Sequence, residues 1–303
     1  MAGIILPRDL LPGLAVAMSG AYKEVVPEWK AIYKEMPADN MSKSEAMSYA
    51  GMDLPVEKPL GEDISYTSMS QLYRSELVYT PYALGFSITH EELQWGQQVK
   101  VGTQRAREIG RVFAVMQNIR AADVLNLGFS QAAYHSGNEG SNLFATSHAI
   151  DGGTTSNRAS ADAALSEAAL EQAILDVEAI KDNKGYKAGL NAQKLVVPSV
   201  LQFDAHRIVK SDGRVGVADN DLNALKSMGK LQDVVVMKYL TSSTAWFLTT
   251  DAPDFESLIH MEQEALNLKE QEHFNSMDMR MRAYQRDLFG SYGFRGVYGS
   301  AGA

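Results

Sequence analysis

Two hydrophobic periods alternate along this chain, and the switches between them mark its elements. Leu84, Phe86 and Ile88 alternate with Gly85, Ser87 and Thr89, the period of two of a half-buried strand. Thr89 and Glu92 then stand at capping-box spacing. Beyond them Leu93, Ile109, Val112, Phe113, Met116 and Ile119 fall on one stripe. The pattern predicts a helix from Thr89 to about Leu127, roughly 38 residues and ~57 Å long. Gly96, Gly102 and Gly110 lie inside it, each costing about 1 kcal/mol and marking a candidate bend. A helix of this length describes a spine rather than the core helix of a compact enzyme.

The segments before the spine lack surfaces of their own. Residues 1–50 mix Pro7, Pro12, Pro27 and Pro37 with one amphipathic piece, Tyr22 to Met36, in which Val25, Val26, Trp29, Ile32 and Tyr33 recur at helical intervals. A short helix is marginal alone, so this piece is expected to dock on the body or on a neighbour through Trp29. Residues 51–88 read as a long hairpin turning near Gly61 to Met69, with Tyr66, Tyr73, Tyr79 and Tyr82 along it. A two-stranded ribbon needs something to lie on, and that surface need not belong to the same chain.

After a Gly-, Ser-, Asn- and Thr-rich stretch at 130–160, long enough to be a contact or functional loop, the pattern becomes mixed. Ser166 is placed to cap a helix to about Lys181, with Leu165 and Leu170 as its staple. Leu195 to Pro198 is a short buried strand, Val200 to Lys210 and Asp219 to Ser227 are helices, and Val234 to Tyr239 and Trp246 to Thr249 are strands. The C-terminal part is β: Met277, Met279 and Met281 face one side, Asp278, Arg280 and Arg282 the other, and Leu258 to Glu264 supplies another strand. Residues 251–275 carry a net charge of −6 and residues 276–295 one of +2, so the two are suited to pair within a chain or between chains.

Composition removes whole classes of chemistry. There is no cysteine, which excludes disulfides, thiolate metal sites and thiol catalysis. A net charge of −9 over 303 residues repels phosphate and argues against a protein that coats DNA. No apolar run reaches the ~20 residues of a membrane span, and the N-terminal stretch has no basic region ahead of its apolar residues, so it reads as part of the soluble chain. Phosphate-binding glycine motifs are absent. His90-Glu91-Glu92 is half of a zinc-protease pattern, but position 94 is Gln. Ser147, His148 and Asp151 cluster without a nucleophile elbow. No catalytic, cofactor or metal site is expected, and a hydrolase built on Ser147 or His148 is the rival reading.

An arm, a tyrosine-rich hairpin, an over-long helix, a mixed region and long strands do not bury their apolar faces inside one compact monomer. They describe a subunit completed by copies of itself. Particular blocks carry a resemblance: Leu143-Phe144-Ala145-Thr146-Ser147-His148, Gly152-Gly153, Ser156-Asn157, Ala164-Leu165-Ser166-Glu167-Ala168-Ala169-Leu170, Lys194-Leu195-Val196-Val197-Pro198, Trp246-Phe247-Leu248 and Asp251-Ala252-Pro253. Through these the chain resembles the major capsid proteins of tailed bacteriophages with the Hong Kong 97-type fold, most of all the phage Mu-type subunits.

The resemblance implies an α+β fold divided into an N-terminal arm (1–50), an extended loop lying across the adjacent subunit (51–88), a spine helix with its connecting loop (89–159), an axial domain (160–250) and peripheral strands (251–303). It implies a structural protein without cofactors that assembles as hexamers and pentamers of an icosahedral shell around double-stranded DNA, in the virion and, during assembly, in the host cytoplasm. A separate scaffold protein, a portal protein and a decoration protein are the implied partners, with no membrane and no sequence-specific nucleic-acid contact. The expected assembly contacts are Trp29, Lys58, Tyr66, Tyr73, Arg74, Glu76, Arg280 and Arg282. Lys58 is the only lysine of the hairpin and lacks a motif for covalent cross-linking. An encapsulin-type compartment shell is the alternative within the same fold.

Overall fold

The computed structural model describes residues 7–61, 63–94, 98–130, 140–213, 222–273 and 275–302. Helix α1 (Pro7–Glu24) is the first described element and contains Pro12; as the sixth helical residue Pro12 lies beyond the four leading N–H groups that have no helical acceptor, so it removes one intrahelical hydrogen bond, the one that would reach the Arg8 carbonyl. Pro27 then stops regular helix. Glu28–Ala31 is one 3-10 turn, and strand β1 (Lys34–Met36) follows. The amphipathic helix expected over Tyr22 to Met36 is therefore not formed. Pro27 disfavours helical backbone at Val26 and has no N–H to donate.

Strands β2 (Lys43–Tyr49) and β3 (Gln71–Val78) form an antiparallel hairpin. Strand β4 (Thr80–Ile88) leaves that hairpin for a larger sheet. The ribbon thus takes its first strand from residues 43–49, and 51–70 form a long tip rather than a tight turn. Thr89 and Glu92 make the expected reciprocal cap: Thr89 N–H donates to the Glu92 carboxylate (3.1 Å) and Glu92 N–H to Thr89 Oγ1 (3.3 Å). Helix α2 (His90–Gln94) starts there and α3 (Gln98–Asn126) is the spine; Gly96 lies outside the described residues.

Gly110 lies inside the unbroken helix α3 and has a packing reason. A Cβ at this position would lie 2.2 Å from the Met18 carbonyl oxygen of α1, so the glycine is what lets the two helices touch backbone to backbone.

A small hairpin, β5 (His148–Ile150) and β6 (Gly153–Thr155), follows. Helix α4 (Glu167–Ala179) is capped by Ser166, whose side chain accepts from Ala169 N–H. Strand β7 (Ala192–Pro198), helices α5 (Gln202–Lys210) and α6 (Ala224–Met228), and strands β8 (Asp233–Met237) and β9 (Trp246–Thr250) complete the mixed region. The helix expected from Asp219 begins at Ala224, and residues 214–221 lie outside the described ones. Strand β10 (Leu258–Glu272) runs twice as far as the alternation predicts, pairing antiparallel with β11 (Met279–Ser291). Met277 sits ahead of β11 with φ 52° and is exposed. The acidic and basic segments thus pair within one chain. Strand β12 (Val297–Ser300) ends the fold.

Two four-stranded sheets result. One has the order β1-β10-β11-β4, the other β12-β9-β7-β8. One face of the first sheet, through Met279, Met281, Ala283 and Ile88, packs on Leu14, Met18, Ile109 and Phe113 of α1 and α3. Beside this core, Asp287 of β11 is fully buried and ion-paired with Arg120 of α3. Gln117 donates to Asp287 (3.2 Å) and accepts from the Tyr22 hydroxyl (2.6 Å). Burial pushes the Asp287 carboxyl up, but His260, Arg120 and Gln117 outweigh it and hold it below the ordinary aspartate range.

Between the sheets, Asn157 is a buried hub. Its amide donates to the carbonyls of Leu143 (2.7 Å), Phe294 (3.0 Å) and Val297 (3.1 Å), and its oxygen accepts from Ala145 N–H (3.1 Å).

Candidate assembly interface

The chemistry-bearing clusters resolve into structure. His148 is fully buried, stacked 3.9 Å from the Phe294 ring, with Nε2 2.9 Å from Asn157 Oδ1. Asp151 pairs instead with Lys184 at 3.1 Å. Ser147, His148 and Asp151 therefore form no nucleophilic site, and His148 belongs to the core rather than to a polar contact loop. Among the described residues no three His, Asp or Glu side chains are placed to hold a metal, and no described helix is long and apolar enough to cross a membrane.

What the molecule leaves open is surface. Trp29 does not contribute to it. The side chain is 3% exposed, with ring centroids 4.2 Å from His260 and 5.4 Å from Phe289. Its contact partner is its own chain, because β1 runs parallel to β10 and carries the preceding turn onto the sheet. Its place among the assembly contacts is corrected accordingly.

The β2–β3 hairpin has two unlike faces. One is packed: Leu77 and Ala46 join Ile259, Met261 and Leu288, and the Ser75 hydroxyl donates to the Tyr292 carbonyl (3.0 Å). The other carries a cross-strand charge ladder. Arg74 is paired with Glu45, and Glu76 with Lys43 at 2.7 Å; Lys43 holds the Glu76 carboxyl below its usual range. Arg74 and Glu76 are thus satisfied within the hairpin, and Tyr73 beside them is half-buried. The hairpin's outer end is tied down by the turn after α4: Asn183 donates to the Tyr49 carbonyl (2.8 Å), and Lys184 lies 3.4 Å from Asp53.

Beyond that tie the chain is bare. Met52, Leu54, Val56, Leu60, Ile64, Tyr66 and Met69 are all exposed, Tyr66 to 89%. Lys58 lies in the same strap. An apolar run of this density on one uncovered loop marks a contact site.

Arg280 and Arg282 occupy the face of the first sheet opposite α1 and α3. Both are exposed, and neither has an ion-pair partner among the described residues. Of the eight positions expected from the sequence, Lys58 and Tyr66 share the strap, Tyr73, Arg74 and Glu76 share the hairpin, and Arg280 and Arg282 share the sheet face. The exposed stretch 52–69 lies inside the extended loop expected over 51–88; its signal is the string of apolar residues between Gly51 and Ser70 with no repeating period.

A family model described as phage capsid protein matches residues 79–299. No curated protein matches the chain. Among solved structures, the chain is similar to one from Mycobacterium phage Patience, with 10% identity over 99% of this chain and 89% of that one and a TM-score of 0.54. It is also similar to the virus-like particle from Pyrococcus furiosus (11% identity, 96% and 98% covered, TM-score 0.52). A third is the capsid of Ralstonia phage GP4 (10% identity, 88% and 86% covered, TM-score 0.51).

Proposed function

The chain belongs to the phage capsid protein family and has the Hong Kong 97-type fold, and from that premise we propose that it is the major subunit of the icosahedral shell enclosing a tailed phage's double-stranded DNA. Copies join as hexamers and pentamers. The mixed region around β7–β9 meets its equivalents at the axes, and the strap at 52–69 reaches across to an adjacent copy. A separate scaffold protein guides closure, a portal protein occupies one vertex, and a decoration protein binds outside. Assembly takes place in the host cytoplasm, and the product is the virion's capsid. The contacts are non-covalent, with Lys58 as a solvated side chain of the strap.

The observation that carries this reading is the strap: seven large apolar side chains within 52–69 that their own chain leaves uncovered. At ~25 cal/mol per Å² of apolar area, covering them gives a driving force that repeats at every subunit contact. The acidic balance of the chain suits a wall that does not hold packaged DNA back. A protein-carrying compartment is the second reading, favoured by the likeness to the Pyrococcus furiosus particle.

Electron microscopy of the full chain, concentrated or co-expressed with its neighbouring structural genes, tests the proposal. Closed shells are expected, with DNA inside native particles. Replacing residues 54–67 by a short Gly-Ser linker is expected to leave a folded chain that forms none. A small discrete oligomer under all conditions overturns the shell reading, and particles filled with protein cargo select the compartment.

A further inference from the structure

Resting on the shell reading, we propose that Lys184 is a releasable clamp on the neck of the 52–69 strap and a positioning residue for assembly. The strap is held at its root by two tiers of contact. The inner tier rests on a buried arginine. Asn183 donates to the Tyr49 carbonyl (2.8 Å) and to the Ser48 hydroxyl (3.2 Å), and its own oxygen accepts from Arg295 (2.7 Å). Arg295 is 3% exposed and is fixed by Glu256 (2.7 Å) and by the Lys181 carbonyl (2.9 Å). Asp182 folds the turn itself, accepting from the N–H groups of Lys184 and Tyr186 (2.9 Å each). The end of β2 is thus anchored to a shaped turn that leans on the crossing between β11 and β12.

The outer tier is a single cation. Lys184 Nζ lies 3.1 Å from Asp151 and 3.4 Å from Asp53. The two limbs of the strap are drawn together at that point. Ala50 N–H donates to the Ser70 carbonyl (2.8 Å), and the Thr67 hydroxyl donates to Asp53 (3.0 Å). Further out, no hydrogen bond or ion pair among the described residues joins 54–66 to the body. The direction in which the strap leaves is therefore set at Asp53. Pro55 and Pro59 stiffen the outbound limb, which reaches ~20 Å when extended, so a small rotation at the neck swings the tip widely.

The outer tier is also the one that opens. Asp53 keeps 64% of its side chain exposed, and an ion pair in that setting is weak and screened by salt. Opening leaves Lys184 with Asp151, so no cation is stranded. The turn stays in place, because β5–β6 presses on its backbone: a Cβ at Gly152 would lie 2.4 Å from the Lys184 carbonyl oxygen. The strap thus has a held and a free state while the body keeps one shape.

The chain has no cysteine, so spin labels at Leu60→Cys and Leu175→Cys, both exposed positions, report the distance from strap tip to α4 in the unassembled full chain. A narrow distribution is expected in low salt. Lys184→Met, Asp53→Asn, or ~1 M sodium chloride, where screening acts over about 3 Å, is expected to at least double its width. Salt is expected to add nothing to Lys184→Met, and the double variant nothing to either single one. Lys187→Met, on the same turn, is expected to leave the width unchanged. Without labels, Lys184→Met is expected to lower the yield of regular closed shells about tenfold, read by sedimentation and electron microscopy, with circular dichroism unchanged. Should that variant fold poorly, Asp53→Asn on the exposed strap carries the test. A distribution that stays narrow in both variants, or is already broad in the wild type at low salt, overturns the clamp. Widening with normal shells overturns its role in assembly. Wild-type chains that never form shells overturn the shell reading, whereas the label distances on unassembled chains still decide the clamp.

Discussion

Gly110 offers a sign test of helix packing. Replacing a helix-interior glycine by alanine ordinarily gains up to about 1 kcal/mol, because the unfolded chain loses freedom and the helix does not. Gly20, in α1, is such a position: a Cβ there meets nothing within 4 Å. Gly110→Ala puts the same methyl group 2.2 Å from Met18 O and 3.1 Å from Tyr22 N, and helix backbone has no rotamer with which to yield. The only relief is to move α1 off the spine by about an ångström. That loosens Leu14 and Met18, which are 1% and 3% exposed. Overpacking of this kind costs roughly 1–3 kcal/mol and outweighs the propensity gain.

We expect Gly110→Ala to lower stability by about 2 kcal/mol and Gly20→Ala to raise it by about 0.5 kcal/mol. Urea denaturation of the unassembled chains, followed by circular dichroism, reads both. A Gly110→Ala midpoint at or above wild type would refute the backbone-contact argument, and the opposite response of Gly20 guards against a general effect of alanine.

Asn157→Leu keeps the volume but takes the Asn157 partner from three carbonyls and the Ala145 N–H; at ~1 kcal/mol or more for each group left unpaired, a loss of several kcal/mol is expected, seen as insoluble protein or a collapsed denaturation midpoint, and a shift under about 1 kcal/mol would show the hub to be dispensable. Asp287→Asn is expected to cost about 2 kcal/mol at neutral pH by leaving the partly buried Arg120 without its carboxylate. Because the Asp287 carboxyl is held low in the fold, its contribution is present above the unfolded value of about 3.9 and fades as pH falls through the lower folded one. The gap between wild type and variant should therefore close in acid, and a gap as wide at pH 2 as at pH 7 would contradict the assignment.

The features legible in the sequence are those decided within a few residues. The Thr89–Glu92 and Ser166 caps, the alternation of β4 and β11 and the short buried strands of the mixed region all depend on neighbours along the chain. Partner choice does not. Arg74, Glu76, Arg280 and Arg282 are alike as charged positions on predicted strands; only the register shows that the first two are neutralised across a hairpin and the last two face open surface. Trp29 misled because its spacing fits an amphipathic helix, whereas its environment is set by β1 lying along β10, more than 200 residues away. Helix α1 was not legible because Pro7 and Pro12 interrupt the pattern of the first residues, whereas the structure holds Pro12 inside the helix.

The route of the last strands has a consequence for synthesis. β11 closes one sheet, and after a short crossing held by Asn157, β12 becomes the edge of the other, pairing with β9. Neither sheet is complete until residues 279–300 have left the ribosome. A nascent or prematurely terminated chain displays an unfinished edge and an empty slot where Tyr298 belongs, so the order of translation itself withholds building blocks from the growing particle until each one is whole.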